Sequence, residues 1–247
     1  MEADSEAADS QAEDSEEAAA MHGDLAGVLL SVALIGVCMG LSFVVARYGK
    51  KTFGKLCPEV ARKMVHIGVS NWFFIYAHVF ETDLWPVLGL AGFAVINAVL
   101  NLTGGLHAVM GQDSTKRNWG LVQYPLSIIM LIALRHYGVG DMVCVGCGIL
   151  GMGYGDGLAS LVGMKVRSHR LPGRTKKTIA GTVTMTLVTF AVVVVLNLSY
   201  RVGVDTLRVV LIGLLTGICA AVVEAYTPFG LDNITVPLMI FLLSGLV

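Results

Sequence analysis

Asp156 stands alone as a carboxylate in an apolar, glycine-dense run, GMGYGDGLASLVGM, that begins at Gly151. An ionisable group inside hydrocarbon costs several kcal/mol, so a lone carboxylate there is a functional candidate by default. Glycines at 151, 153, 155 and 157 have two readings: they let backbone approach a ligand, or they make a close helix-packing surface. The chain then opens into a loop with Lys165, Arg167, Arg170, Arg174, Lys176 and Lys177, and a second apolar run starts at Thr178. A carboxylate beside a lysine-arginine cluster at the edge of a bilayer suits a metal-bound polyphosphate meeting a lipid. Lys177-Thr178-Ile179-Ala180-Gly181-Thr182 supplies an ammonium, two hydroxyls and, at a helix start, free backbone N–H groups for phosphate oxygens. Asp156, with Asp232 or Glu224 as further carboxylates, suits Mg²⁺ held against the same phosphates.

The remaining polar residues of the apolar runs fall at the same depth. Arg62, Lys63 and His66 share a helix face at the start of one run, since His66 lies four and three residues after the two bases. Asn97 and Asn101 are four apart at the end of the next, Glu224 closes a later run, and Asp232-Asn233 opens the last. Each has a plainer reading. Arg62 and Lys63 serve equally as positive-inside anchors, His66 as a packing histidine, and the asparagines as interhelical hydrogen-bonding groups. The basic loop serves as a stop-transfer patch or an attractor of anionic headgroups. Their clustering at one boundary is what turns a membrane protein into a membrane-enzyme candidate.

The elements that must position these residues are apolar helices. Of 247 residues 55% are hydrophobic, and mean hydropathy is +0.73. Runs of about 18 residues or more, each able to cross ~30 Å of hydrocarbon as a helix, recur along the chain. Alternating ten-residue strands are absent, which argues against a β-barrel. The fold class expected is all-α and polytopic, with about eight transmembrane helices over 25–46, 64–80, 84–102, 120–137, 142–163, 178–198, 206–225 and 231–247. Seven is the alternative, because the second and last spans are short. With eight, 14 of the 17 Lys and Arg residues fall on one side, including Lys116 and Arg117, and only Arg135, Arg201 and Arg208 fall opposite. Lysine and arginine in short loops stay cytoplasmic, so the cluster is expected at the cytoplasmic boundary of the cell membrane, with the N-terminus outside. Residues 1–24 hold nine of the 18 acids and no Lys or Arg, in near-repeats of Ala, Ser, Asp and Glu. They are expected to be a disordered acidic tail, neither signal nor transit peptide, ahead of a single transmembrane catalytic domain over 25–247.

Several motifs are set aside. Gly146-x-Gly148-x-x-Gly151 matches a dinucleotide fingerprint by letter but has no βαβ frame. Cys144-x-x-Cys147 lies in an apolar span without a thioredoxin-like context. Gly36-x-x-x-Gly40 reads as a helix-packing pair. No P-loop, HExxH or GxSxG pattern occurs, so a nucleotide must be held in another way.

Taken in order, Arg62-Lys63-x-x-His66, Gly155-Asp156-Gly157-x-Ala159-x-x-x-Gly163, Lys177-Thr178-x-x-Gly181-Thr182, and Glu224 followed by Asp232-Asn233-x-Thr235-x-Pro237 resemble the polyprenol kinase family. That family includes dolichol, phytol and farnesol kinases and CTP-dependent diacylglycerol kinase, and is distantly similar to phosphatidate cytidylyltransferase. The resemblance implies Mg²⁺-requiring phosphorylation of a long-chain alcohol by CTP, with nucleotide contacts between Asp156 and Thr182. On this reading Asp156 holds Mg²⁺, with Asp232 as a second ligand. Gly155, Gly157, Gly163, Lys177, Thr178, Gly181 and Thr182 hold phosphate, and Arg62, Lys63 and His66 line the pocket. Glu224 or Asp156 accepts the hydroxyl proton, and Asn97, Asn101 and Asn233 support the site. One departure stands out: the family usually has Glu where this chain has Ala180. Expected partners are CTP, a lipid alcohol and membrane lipids, with no nucleic acid; the oligomeric state is open. Two alternatives remain, a cytidylyltransferase that joins CMP to a phospholipid, and a transporter using the intramembrane acids as an ion path.

Overall fold

A computed structural model describes residues 2–104, 119–166, 168–173, 177–228 and 230–247. Lys116, Arg117, Arg167, Arg174 and Lys176, counted above among the bases, lie outside the described residues. The elements in order are α1 (Glu2–Tyr48), α2 (Lys50–Phe53), a 3-10 turn (Gly54–Leu56), α3 (Cys57–Ser70), α4 (Trp72–His78) and α5 (Leu84–Thr103). They continue with α6 (Gly120–His136), α7 (Met142–Lys165), α8 (Ile179–Tyr200), α9 (Thr206–Tyr226) and α10 (Asp232–Ser244). The protein is an all-α, polytopic membrane protein. By length and composition five helices are able to cross a bilayer, while α6 and α10 are apolar but shorter. The second expected span is broken at Asn71 into α3 and α4. Each of the eight expected spans falls on helix, five of them on helices long and apolar enough to cross and the others on the shorter α3–α4, α6 and α10.

α1 takes in residues 2–24, the acidic segment that the composition sets apart. Alanine and glutamate dominate there and are strong helix formers, so the helix extends without needing a packed face. Asp24 closes this segment onto the bundle. It is buried and accepts hydrogen bonds from the Glu81 and Thr82 amides (3.0 and 3.2 Å) and the Thr82 hydroxyl (2.7 Å).

α7 is the hub. Fifteen of its residues are buried, from Val143 to Ala159, whereas α1, α5, α8 and α9 turn rows of Leu, Val and Ile outward. An apolar helix surrounded by helices needs small residues where neighbours cross. A methyl group on Gly153 would lie 2.3 Å from Ser70 Cβ, and one on Gly157 2.4 Å from Ile67 Cγ1. One on Gly155 would lie 2.6 Å from Met185 Sδ. The glycines of this run are packing surface, and α7 stays regular through them. Gly36 and Gly40 are the reverse case. Nothing lies within 4 Å of a methyl group built on either, so among the described residues they pack no helix.

The two ends of the bundle differ. At one end Arg135 pairs with Asp83, and Arg201 with Asp141 (2.9 Å). Two of the three bases on the expected outer side are thus neutralised locally. The α6–α7 turn there needs left-handed backbone at Gly138 and Gly140 (φ 79° and 83°), which glycine adopts without strain. The other end gathers the starts of α3, α6, α8 and α10 and the ends of α7 and α9, and it holds the unusual chemistry.

Candidate active site

Asp156 sits on α7 with 6% of its surface exposed, and Lys63 of α3 is equally buried at 4%. The Lys63 ammonium donates to Asp156 Oδ2. From the opposite side Lys177 Nζ lies 3.6 Å from Asp156 Oδ1 and donates to Glu224 Oε1 of α9. Four charged groups from α3, α7, the start of α8 and α9 therefore alternate in sign, and three of them are buried. A charge taken out of water is tolerated only with a close partner of opposite sign, so this row holds its members in register.

Lys177 owes its place to the loop before α8. Leu171 N–H donates to the Lys177 carbonyl (3.0 Å) and Ile179 N–H to the His169 carbonyl (2.9 Å), around an antiparallel bridge between Arg170 and Thr178. Thr178 is the N-cap of α8, its hydroxyl accepting from Gly181 N–H at 3.2 Å. Serine 168 caps as well, with Ala180 N–H donating to Ser168 Oγ at 3.1 Å, and Thr182 N–H donates to the Thr178 carbonyl at 2.9 Å. The expectation of free N–H groups at this helix start is therefore corrected: the first four are already bonded, and phosphate would be held by side-chain cations.

These groups line a cavity of about 470 Å³. Of the residues named from the sequence, Asp156, Lys63, Arg62, Lys177, Thr178, Gly163, Gly181, Glu224, Asp232 and Asn233 are on its wall. Gly163 and Gly181 are there because α7 and α8 cross closely. A methyl group on Gly163 would lie 2.8 Å from Thr178 Oγ1, and one on Gly181 3.0 Å from the Ala159 carbonyl. The other candidates lie elsewhere. Gly155 and Gly157 pack against α8 and α3. Thr182 is off the wall and donates its hydroxyl to the Thr178 carbonyl (3.0 Å). Asn97 and Asn101 are buried on α5, with Asn97 donating to the Phe93 carbonyl (2.9 Å). His66 reaches Asp156 Oδ2 at 3.8 Å from the side of a second, smaller cavity.

Sequence reasoning missed Glu59, Ser160 and Trp119, which also line the large cavity. Two of them carried a signal. Glu59 stands three residues before Arg62 and pairs with it, and Ser160 stands four after Asp156 and shares its face. Position 180 contributes nothing to the wall, so the acids available there are Glu59, Asp156, Glu224 and Asp232.

Asp232 differs from the other three. Among the described residues no cation lies within 4 Å of it; its Oδ1 accepts from the Asn233 amide at 3.1 Å. No cluster of three metal-ligating side chains occurs among the described residues. Mg²⁺ in phosphoryl-transfer sites takes one or two carboxylates and completes its shell with phosphate oxygens and water. Asp232 with Asp156 fits that pattern, with Asp232 the more available ligand because Asp156 already faces two lysines.

The chain is 36% identical over 185 residues to phytol kinase of Synechocystis sp., a match covering 73% of this chain and 76% of that protein. The chain belongs to the polyprenol and phytol kinase family. It is a kinase, a phosphotransferase of a family acting on lipid alcohols. Two plant proteins extend the likeness across nearly the whole chain. Probable phytol kinase 3, chloroplastic, of Glycine max is 25% identical, covering 92% of this chain and 74% of that protein. Probable phytol kinase 2, chloroplastic, of Oryza sativa subsp. japonica is 23% identical, covering 93% and 80%. No family model and no solved structure matches the chain.

Proposed function

We propose that this kinase transfers the γ-phosphoryl group of CTP to an isoprenoid alcohol of the phytol type, with Mg²⁺ as cofactor, at the cytoplasmic boundary of the cell membrane. The observation that carries the reading is the Lys63–Asp156–Lys177–Glu224 row on the wall of one large cavity at one end of an apolar bundle. Phosphoryl transfer needs mainly positioning and charge neutralisation. Lys177, Arg62 and Lys63 bring three cations to the cavity, and the Thr178 hydroxyl, used so far only as an acceptor, still has a proton to donate. Asp232 and Asp156 would hold Mg²⁺, which neutralises the charge building on the leaving phosphates. Asp156 also lies on the smaller cavity, where a hydroxyl would arrive, which favours it over Glu224 as acceptor of the proton.

The test is purified protein in detergent with labelled CTP and ATP in parallel, offered phytol, farnesol, undecaprenol, diacylglycerol and phosphatidate. The expected result is label on an isoprenoid alcohol with CDP released. Pyrophosphate released with CMP joined to phosphatidate would replace the kinase by the cytidylyltransferase. Label transferred equally well from ATP would remove the CTP preference. A transporter fits less well, because Ile149, Met152, Met185 and Ile240, all buried and apolar, fill the bundle on the far side of the charged row.

A further inference from the structure

The large polar cavity does not end at Asp156. A cavity of about 40 Å³ shares Arg62, Gly120, Asp156 and Asn233 with it and continues inward between α3, α5 and α6. Its far wall is Val65, Val69 and Phe93. Val69 and Phe93 in turn border a third space of about 120 Å³, a groove between α1, α3–α4 and α5 whose walls are almost wholly apolar. The three spaces form one series, charged at one end and apolar at the other. Along α3 and into α4 the series follows Arg62, Val65, His66, Val69 and Trp72, steps of one to three residues. Ten residues at 1.5 Å each make about 15 Å, half the thickness of the hydrocarbon.

The junction carries two marks of an incoming hydroxyl. His66 Nε2 is buried with no hydrogen-bond partner, its ring lying against Tyr124 (4.5 Å between centroids) on the wall of the small cavity. Pro125 and Pro237 lie inside α6 and α10. Neither has an N–H, so the Leu121 and Asn233 carbonyls lack their helical donors, and both residues border the small cavity. Carbonyls without their helical donor, beside a buried carboxylate, suit a hydroxyl donor.

Resting on the kinase reading, we infer that the groove between α1, α3–α4 and α5 holds the branched chain of the lipid alcohol and that the small cavity delivers its hydroxyl to His66 and Asp156. The groove lets the chain enter sideways from the membrane, while the nucleotide enters the large cavity from water. Gly89 is the specificity position. It borders the groove, and nothing lies within 4 Å of a methyl group built on it, so a larger side chain fills the groove without displacing protein. Gly92, on the same helix, has the same open space but does not border the groove.

The experiment uses the full chain in detergent with Gly89→Phe and Gly92→Phe, a phytol analogue bearing a photoreactive diazirine, and kinetics with phytol and the shorter geraniol. Photolabel is expected within residues 28–35 and 85–93, displaced by phytol, lost in Gly89→Phe and kept in Gly92→Phe. The KM for phytol in Gly89→Phe is expected to rise roughly tenfold, the loss for about two methylenes withdrawn from apolar contact. Geraniol should lose less, and the KM for nucleotide should not move. Label confined to the outer faces of α8 and α9, with Gly89→Phe indistinguishable from Gly92→Phe, overturns the groove even if the enzyme phosphorylates phytol. Groove labelling without transfer from any nucleotide keeps the lipid site and sinks the kinase reading instead.

Discussion

Asp156 and Lys63 are each more than nine-tenths buried and are each other's closest charged partner. Breaking such a pair by removing one member costs on the order of 3–5 kcal/mol, whereas replacing both by apolar groups is often neutral or stabilising. The pair is therefore poor value as a structural device and reads as one kept for catalysis. Asp156→Asn should abolish transfer and lower the melting midpoint in detergent. The double variant Lys63→Met, Asp156→Leu should recover the midpoint and stay inactive. Asp232→Asn breaks no ion pair, so it should leave the midpoint alone and raise the Mg²⁺ needed for half-maximal rate by at least about tenfold, if one carboxylate ligand is lost. Recovery of activity in the double variant would remove the pair from the chemistry. That Asp156 and Lys63 would each lie at the site was legible, because lone charges in apolar runs need a reason. That they bond each other was not, since 93 residues separate them and only the packing of α3 on α7 brings them together.

The glycine-rich helix shows how far spacing alone can go. Sequence gave Gly155 and Gly157 two meanings, ligand approach or packing, and only neighbours decide between them. Ile67 against Gly157 and Met185 against Gly155 decide for packing. The same contact has a functional consequence, because Ile67 lies one turn beyond Lys63 on α3. Gly157→Ala would put a methyl 2.4 Å from Ile67 Cγ1, which forces α3 away from α7 and draws Lys63 from Asp156. The expected outcome is a fall in turnover of at least about tenfold, on the principle that misplacing a reacting group by about 1 Å costs as much as 10²-fold. Ile67→Ala in the same chain makes room and should restore most of it. An unchanged rate in Gly157→Ala would show that the spacing of these two helices is not critical. The start of α8 teaches the reverse lesson. A Lys-Thr-x-x-Gly-Thr helix start looks like an anion site, yet Thr178, Ser168 and His169 already occupy its first amides, and Ser168 and His169 lie outside the motif.

Across the whole molecule both ends carry ion pairs, buried at the cavity and more exposed at the other end. At the end remote from the cavity, burial pushes the Asp83 and Asp141 carboxyls up, but the bonds to Asp83 from Tyr76 and Arg135, and to Asp141 from Arg201 and the Cys144 amide, outweigh it. Both carboxyls sit below their usual value. A carboxyl held low in the folded state contributes stability that is present above its unfolded pKa and lost as pH falls through its folded one. Melting midpoints should therefore drop on acidification below about pH 4, the ordinary aspartate value. A double Asp83→Asn, Asp141→Asn variant should be less stable at neutral pH and show a smaller drop. An equal drop in both proteins would mean that these pairs contribute nothing.

The proposed orientation rests on the positive-inside rule. The apolar helices were legible because most apolar runs are long enough to be counted, and the end pairs Asp24–Thr82 and Arg201–Asp141 tie together segments that the expected topology puts on one side. With the lysine-rich end inside, the α8–α9 turn faces out and the loop before α8 faces the compartment that holds nucleotide. Val202 in that turn is fully exposed, at 102%, and Gly173 in that loop is exposed with open left-handed backbone (φ 97°). Four of the five native cysteines are buried, so a single engineered thiol can be read over a low background. In intact cells a membrane-impermeant maleimide should label Val202→Cys and spare Pro172→Cys, the exposed neighbour of Gly173 that avoids the left-handed glycine backbone. Permeabilised cells should label both. Labelling of Pro172→Cys in intact cells would turn the cavity away from the cytoplasmic nucleotide pool, and with it would go the side of the membrane on which transfer is proposed to occur.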